Sequence, residues 1–344
     1  MSEAKASHFA LVLPGAVARG AYEAGVIEVL AEQDTRIDRI VATSSGALNG
    51  LAYAAGIRAG EEKKMAERLV NTWVESGSWQ KSLNFNPIDL LFGRGLSNSE
   101  GLLTMMRDLV QPSSQLRKRD VELRILVTPL NGVMSTIGHK EATTYEKIIK
   151  FTGEDLDTAE RLEKVFKVVS AACAFPGLFQ PVEIEGLGAC VDGGAVNNAP
   201  IAYALEESDV NRVIMPVPCP PVMETGDWKR GLNLLNHLIA ILINERLFRD
   251  LKQAHKTNHE VDKLKKLVDE GFITETQLER IKTELFMRNV EITEVRPTQD
   301  FTGSPFSGFF SKQNRIKLIE AGRQAARETL ARIPKRNPQG LQTT

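Results

Sequence analysis

Three short segments hold residues whose types and spacing could do chemistry. The first, Val41-Ala42-Thr43-Ser44-Ser45-Gly46, lies between a predicted strand and a predicted helix. A sharp strand-to-helix turn lifts its central serine out of the sheet, while the helix N-terminus aims free N–H groups and its positive dipole end at the same spot. Ser44 could then be a nucleophile, although the pattern Ala-x-Ser-x-Gly also reads as a plain helix N-cap. The second segment, Pro14-Gly15-Ala16-Val17-Ala18-Arg19-Gly20, sits at another strand-to-helix junction. Small residues there can present successive backbone N–H groups to an oxyanion or a phosphate. Nucleotide binding is the poorer explanation, because no Lys-Ser/Thr ending follows and Val17 stands where a dinucleotide fingerprint needs its middle glycine. The third segment is Val191-Asp192-Gly193-Gly194-Ala195-Val196-Asn197-Asn198-Ala199-Pro200. An aspartate at a strand end, turned by two glycines, can reach across to another loop, or it can merely stabilise its own Asp-Gly turn. Chemistry is favoured because all three segments occur together, in this order, on an alternating strand and helix pattern.

The elements that must position them follow from hydrophobic spacing. Residues 9–13 and 37–42 read as strands, each followed by a tight loop and a helix. The first helix carries Tyr22, Gly25, Val26, Val29 and Leu30 on one side, and the second opens at Ser44-Ser45-Gly46 and runs to about Gly56. Strands alternating with helices imply a parallel sheet with helices packed on it. Ala66, Leu69, Val70 and Trp73 mark a third helix, after which residues 77–101 read as an irregular excursion near a site mouth. Residues 121–129 form a strand, and Asn131-Gly132 predicts a type I′ hairpin back onto it. Leu162, Val165, Phe166 and Val169 mark another helix, with short strands around Ile184 and from Cys190 and a longer one over 212–217. From 228 to 285 the chain reads as helical and charged, with Leu232, Leu235, Leu238, Ile239 and Leu242 taken as a core-facing stripe. A strand over 290–295 precedes a helix bearing Ile316, Ile319, Ala326, Leu330 and Ile333. The expectation is one domain over 8–333 and a frayed tail over 334–344.

Composition excludes several classes. The chain has 344 residues, 42% hydrophobic and 25% charged, with 26 Gly and 15 Pro, which rules out collagen, a coiled-coil rod and a disordered chain. Lys and Arg total 43 against 44 Asp and Glu, so a net charge of -1 creates no global field for nucleic acid or an anionic membrane. Any lipid or membrane partner must be recognised locally. Cys173, Cys190 and Cys219 are too few and too odd in number for a disulfide framework. His8, His139, His237, His255 and His259 lie far apart, and no ligand cluster implies a metal or an organic cofactor. The N-terminus lacks a basic region and a cleavage site, and the apolar run 232–243 is broken by Asn233, Asn236 and His237 and too short to span a bilayer. A cytoplasmic protein without a transmembrane segment is expected.

With Ser170-Ala171-Ala172-Cys173-Ala174-Phe175-Pro176-Gly177-Leu178-Phe179-Gln180-Pro181-Val182 and Leu318-Ile319-Glu320-Ala321-Gly322, the three segments resemble the patatin-like phospholipase family over nearly the whole chain. The resemblance implies a three-layer α/β/α fold with a central, mostly parallel sheet and a Ser-Asp catalytic dyad. By position, Ser44 in the elbow 42–46 matches the family nucleophile and Asp192 in 192–194 the general base. The family's oxyanion loop aligns with 15–20, giving Gly15, Ala16 and Val17 as the oxyanion hole. Arg19, Gly20, Gly46, Gly193 and Gly194 then serve as supporting residues. The implied activity is hydrolysis of acyl esters in phospholipids or related lipids through an acyl-Ser44, with transient contact at a membrane surface. The scattered histidines suit this, since no histidine flanks the segments and an aspartate in reach can take the serine proton directly.

Two departures bear on that expectation. Gly15-Ala16-Val17 replaces the family's three consecutive glycines, and Ala42 replaces the first glycine of the elbow. If the loop requires φ > 0 at Val17, a β-branched residue is strained there, and a misdirected oxyanion donor costs about 100- to 1000-fold in rate. A non-catalytic lipid-binding or regulatory relative is the rival reading, and an acyltransferase using the same acyl enzyme is a weaker one. Arg19 could bind a lipid phosphate or hold its loop, the structural role being favoured. Phe306, Phe309 and Phe310 are candidates for acyl-chain or membrane contact, with core packing the alternative.

Overall fold

The computed structural model of the chain describes residues 8–76, 100–112, 119–137, 140–207, 210–219, 231–285, 287–298 and 306–331. The tail after Pro334 and nearly all of the excursion expected over 77–101 lie outside these residues. The strands are β1 His8–Leu13, β2 Arg39–Ala42, β3 Glu122–Pro129, β4 Val133–Ile137 and β5 Lys140–Thr144. They continue as β6 Lys147–Phe151, β7 Val182–Ile184, β8 Gly188–Asp192, β9 Val210–Pro216 and β10 Glu291–Val295. The first helices are α1 Gly20–Glu32, α2 Ser45–Ala59, α3 Glu62–Ser76, α4 Glu100–Leu109 and α5 Ala159–Ala172. After them come α6 Ile201–Ala204, α7 Gly231–Asp269, α8 Glu275–Glu284, α9 Ser307–Phe310 and α10 Lys312–Leu330.

The main sheet runs β10-β9-β1-β2-β3-β8-β7, with β6 paired to the lower part of β3. Pairings from β10 through to β3 are parallel, while β6, β8 and β7 join antiparallel. Every residue of β2 is buried, as expected of a parallel strand covered on both faces. Alternate residues of β1 divide between two apolar layers. Leu11 and Leu13 join the cluster built with α1, α2, α3, α5 and α10. Ala10 and Val12 join a second cluster with Ile201, Leu247 and Leu251 of α6 and α7. Helices on both faces of one mostly parallel sheet make a three-layer α/β/α fold.

Register brings the three candidate segments together. Leu13 pairs with Ala42 across β1 and β2, so the loops leaving the two strands are neighbours. Ala42 pairs in turn with Ile125 on β3, and two residues beyond each lie Ser44 and Val127. Val127 is also the partner of Asp192 on β8. Ser44 and Asp192 thus flank the same point of β3, at the C-terminal rim of the parallel strands.

Two expectations are corrected. Residues 131–132 do not turn β4 back onto β3: only Gly132 takes positive φ, 68°, whereas a type I′ turn needs it at both central residues. Leu130 N–H instead donates to Ala189 O at 2.9 Å, and β4 pairs forward with β5 in a separate two-stranded sheet. The stripe over 232–242 is not wholly core-facing either, because Leu238 and Leu242 are 46% and 54% exposed. The buried face of α7 lies further on, at Leu247, Leu251 and Val261, where the helix reaches the sheet. Leu232, Leu235 and Ile239 have side chains outside the described set. Among the described residues no helix is long and apolar enough to cross a membrane.

Candidate active site

Ser44 is the residue before α2 and adopts φ 52°, ψ -135°, a conformation L-residues rarely hold and one that stores roughly 1–3 kcal/mol of strain. Its side chain does not cap the helix. Ser44 Oγ–H instead donates to Asp192 Oδ2 at 2.6 Å, and both side chains are buried. Gly46 allows this turn, since a Cβ there would lie 2.3 Å from Leu13 O. Ala42 faces Gly50 of α2, where a Cβ would lie 3.3 Å from the Ala42 Cβ.

Asp192 uses its two oxygens separately. While Oδ2 accepts from Ser44, Oδ1 accepts the Gly194 N–H at 2.7 Å, so the carboxylate both stabilises its own turn and reaches the serine. Gly193 opens the short 3-10 turn that follows. Asp192 N–H donates to Ala174 O at 3.0 Å, and Thr128 Oγ1 donates to Asp192 O at 3.0 Å, fixing the backbone. Burial pushes the Asp192 carboxyl up to about 7, against the smaller downward pull of the Ser44 hydroxyl and the Gly194 N–H. Such a group is partly ionised at neutral pH and able to take a proton. The neighbouring Cys173 thiol, raised well above its usual value by burial and the Asp192 charge, stays protonated and donates to Ser44 O at 3.0 Å.

The loop 15–20 lies against the same point. Gly15 N–H donates to Asn198 O at 3.2 Å, and the Asn198 side-chain amide donates to Gly15 O at 2.8 Å. A Cβ on Gly15 would come within 2.9 Å of Ser44 Cβ, so only glycine permits this approach. Ala16 N–H donates to Ser45 Oγ at 3.1 Å. Val17 does take positive φ, 53°, so the strained geometry is held by the fold rather than avoided. Arg19 is buried at the end of a 3-10 turn over Val17–Arg19, and Gly20 begins α1.

Behind the loop lies a polar network between three helices. Trp73 Nε1–H donates to Asn49 Oδ1 at 2.8 Å, and Asn49 Nδ2 donates to Gly20 O at 2.9 Å and Glu23 Oε2 at 2.8 Å. Burial pushes the Glu23 carboxyl well above its usual range, against the downward pull of the Asn49 amide. Asn49, Asn198 and Cys173 were not singled out by role from sequence. For Asn198, the Asn-Asn-Ala-Pro that closes the Asp-Gly-Gly segment is the one signal that could have marked it.

Ser44 opens onto an apolar cleft of about 730 Å³ of empty volume, open at its mouth. Val17, Leu48, Trp73, Met105, Phe175 and Phe309 are among its walls. The three late phenylalanines divide: Phe306 is buried edge-on to Phe175 with centroids 6.1 Å apart, Phe309 lines the cleft, and Phe310 is 78% exposed.

The mostly parallel sheet between two helical layers, with a serine on a strained turn meeting a buried aspartate at one strand rim, makes a three-layer α/β/α scaffold. The chain belongs to the patatin-like phospholipase family, whose model matches residues 11–205. It is similar to the uncharacterized protein YqhO of Bacillus subtilis (strain 168), 25% identical over 261 residues, which cover 72% of this chain and 81% of the relative. The uncharacterized NTE family protein MT2641 of Mycobacterium tuberculosis (strain CDC 1551 / Oshkosh) is 28% identical over 231 residues, 67% of this chain but 33% of the relative. Among solved structures, VipD from Legionella pneumophila aligns with 96% of this chain and 67% of its own, at 13% identity and a TM-score of 0.39. The type III effector protein ExoU aligns with 96% and 53%, at 12% identity and a TM-score of 0.34.

Proposed function

We propose that this protein is a serine lipid acyl hydrolase in which Ser44 and Asp192 form a two-residue catalytic unit. One observation carries the reading: a serine hydroxyl on a strained turn, lining an apolar cleft, donates at 2.6 Å to a buried carboxyl whose pKa burial raises to about 7. Ser44 Oγ attacks the ester carbonyl as its proton passes to Asp192 Oδ2. The tetrahedral oxyanion is held by main-chain N–H groups of Ala16 and Val17. Its collapse expels the alcohol, which takes the proton from Asp192, and leaves acyl-Ser44. Water, deprotonated by Asp192, then releases the carboxylic acid. An apolar cleft suits the acyl chain of a phospholipid or related ester. A fluorophosphonate probe is expected to label wild type and not Ser44→Ala; labelling that persists in Ser44→Ala removes the nucleophile assignment. Full-rate ester hydrolysis by Asp192→Asn removes the dyad.

A second reading, a catalytically impaired relative, is favoured by the strained Val17 and by the Ala16 N–H already satisfied by Ser45. Turnover of a short-chain ester by wild type, sensitive to Ser44→Ala, decides against it.

A further inference from the structure

The helix α7 carries an exposed face that the reaction does not use. Arg246 Nη1 donates to Gly194 O at 3.1 Å, placing this point of α7 at the catalytic rim. Asn258 exchanges hydrogen bonds with Val290 at the start of β10, the opposite end of the sheet. The helix therefore runs antiparallel to the parallel strands, and its first fifteen residues continue past the catalytic rim for about 22 Å at 1.5 Å per residue. On that extension Leu234, Leu238 and Leu242, spaced by four, are 41%, 46% and 54% exposed.

At about 100° per residue, Arg249, Lys252 and Lys256 fall within the same arc of about 80° as these leucines, together with Glu245 and Glu260, so cations outnumber carboxylates on the part of this face that follows the leucines. A surface groove there is lined by Glu245, Arg246, Arg249, Lys252, Gln253 and Lys256, four cations against one carboxylate. Asp250, itself mostly buried, lies 3.5 Å from the exposed Arg249, and Glu260 lies 3.9 Å from Lys256 in an exposed pair, both at long separations. In a chain of net charge -1 this is a local excess of positive charge, one turn and more behind an exposed apolar tip. Phe310, at the same end of the molecule beside the cleft wall Phe309, is a further exposed apolar group.

We infer that this face of α7 docks on a lipid bilayer bearing anionic phosphate headgroups, with Leu234, Leu238 and Leu242 entering the acyl boundary and Arg249, Lys252 and Lys256 meeting the phosphates. The choice of partner rests on the lipid hydrolase reading. Order along the helix carries the geometry: the leucines lie at the catalytic end and the cations behind them, so docking brings the cleft towards the membrane. An acidic protein would be matched by the cations but leaves the leucine row unexplained.

The test uses full-length Ser44→Ala protein and vesicles of phosphatidylcholine alone or with phosphatidylglycerol, read by co-sedimentation. Binding to the phosphatidylglycerol vesicles is expected to exceed binding to phosphatidylcholine by at least about tenfold and to weaken with salt. The triple change Arg249→Glu, Lys252→Glu, Lys256→Glu is expected to abolish that difference, and Leu238→Asp with Leu242→Asp to weaken binding even at low salt. In the otherwise wild-type chain the charge reversal leaves short-chain ester turnover and the thermal melt unchanged. Undiminished vesicle binding by either variant overturns the proposal, as does no binding to phosphatidylglycerol vesicles, the outcome expected of an acidic protein partner. A concentration-dependent dimer lost in Leu238→Asp also overturns it, in favour of a second copy of the chain. Because binding is read on inactive protein, its failure is separate from failure of the hydrolase reading, which the soluble ester reports.

Discussion

Asn198 holds Gly15 from both sides of its peptide, accepting the Gly15 N–H on its own carbonyl and donating its side-chain amide to Gly15 O. The clamp ties the loop that precedes α1 to the segment that follows Asp192. It fixes a set of backbone donors relative to a serine and its base.

Replacing Asn198 by Asp keeps the shape but sets a carboxylate against the Gly15 carbonyl, so the loop is expected to shift. A shift of about 1 Å near the reacting atoms can cost about 100-fold. For Asn198→Asp, kcat on a short-chain ester is therefore expected to fall about 10- to 100-fold with KM changed far less. An equal fall in Asn198→Ala, which keeps the backbone half of the clamp, would argue for lost stability instead, and a thermal melt separates the two.

The Asp192 carboxyl, raised to about 7 by burial, sets a pH profile. As base it must be ionised, so kcat/KM is expected to rise tenfold per pH unit below about 7 and to level off above it. Stability has the opposite sense. A folded-state value above the unfolded 3.8 contributes stability that is complete below 3.8 and lost as pH rises through about 7. The gap corresponds to about 4 kcal/mol of penalty at pH 9. Asp192→Asn is accordingly expected to be inactive and more stable than wild type at pH 9, with the advantage shrinking as pH falls, in denaturant titrations at several pH values.

Ser44 at φ 52°, ψ -135° holds a conformation that glycine tolerates and alanine does not. Both Ser44→Ala and Ser44→Gly remove the nucleophile. Relief of roughly 1–3 kcal/mol of strain outweighs the roughly 0.5–1 kcal/mol of chain entropy that glycine costs. Ser44→Gly is expected to melt higher than Ser44→Ala; the reverse order would mean that the turn is not strained.

Much of this arrangement was legible in the chain because local rules governed it. The strands before Pro14 and Thr43 are short apolar runs, each followed by small residues and a helix, and β1, β2 and α1 to α3 form near where periodicity puts them. The polar sequence Lys-Glu-Ala-Thr-Thr of β5 carries no apolar alternation, so nothing local marks it as a strand. Asn131-Gly132 misled because β8 takes the rim of β3 that a hairpin partner would need, which is a long-range fact. At the candidate site, neither turn alone points to Ser44 or Asp192; the three segments taken together, and their resemblance to the family, do. The partners of Asn49 lie on α1 and α3, and no spacing within α2 announces them.

Asn49 is fully buried and answers three groups at once, Trp73, Gly20 and Glu23. Leucine is similar in size but leaves the Trp73 N–H without its acceptor and Glu23 Oε2 without its donor. Each unpaired buried polar group costs roughly 1–3 kcal/mol. Asn49→Leu is expected to lose about 3 kcal/mol or more in chemical denaturation, because a partly satisfied network is worse than none. It is also expected to raise KM for long-chain esters, as Trp73 is a wall of the cleft. A change within 1 kcal/mol would mean that α1, α2 and α3 are held together by their apolar contacts alone.

Ser45 poses a question of sign. Its hydroxyl accepts the Ala16 N–H at 3.1 Å in the resting protein, and the oxyanion of the proposed reaction needs the same donor. A hydrogen bond made before reaction and given up in the transition state adds to the barrier. If Ala16 N–H turns to the oxyanion, Ser45→Ala removes that competition, and kcat on a short-chain ester is expected to stay at the wild-type level or rise by up to about tenfold, since a neutral hydrogen bond is worth roughly 0.5–1.5 kcal/mol net. The resting protein, left with an unpaired N–H, should at the same time melt lower. If Ser45 instead serves only to hold the loop in place, both the melt and kcat fall together. The joint direction of the two measurements therefore tells an oxyanion donor from a structural one, at a position where Val17 already shows that the fold spends stability on loop geometry.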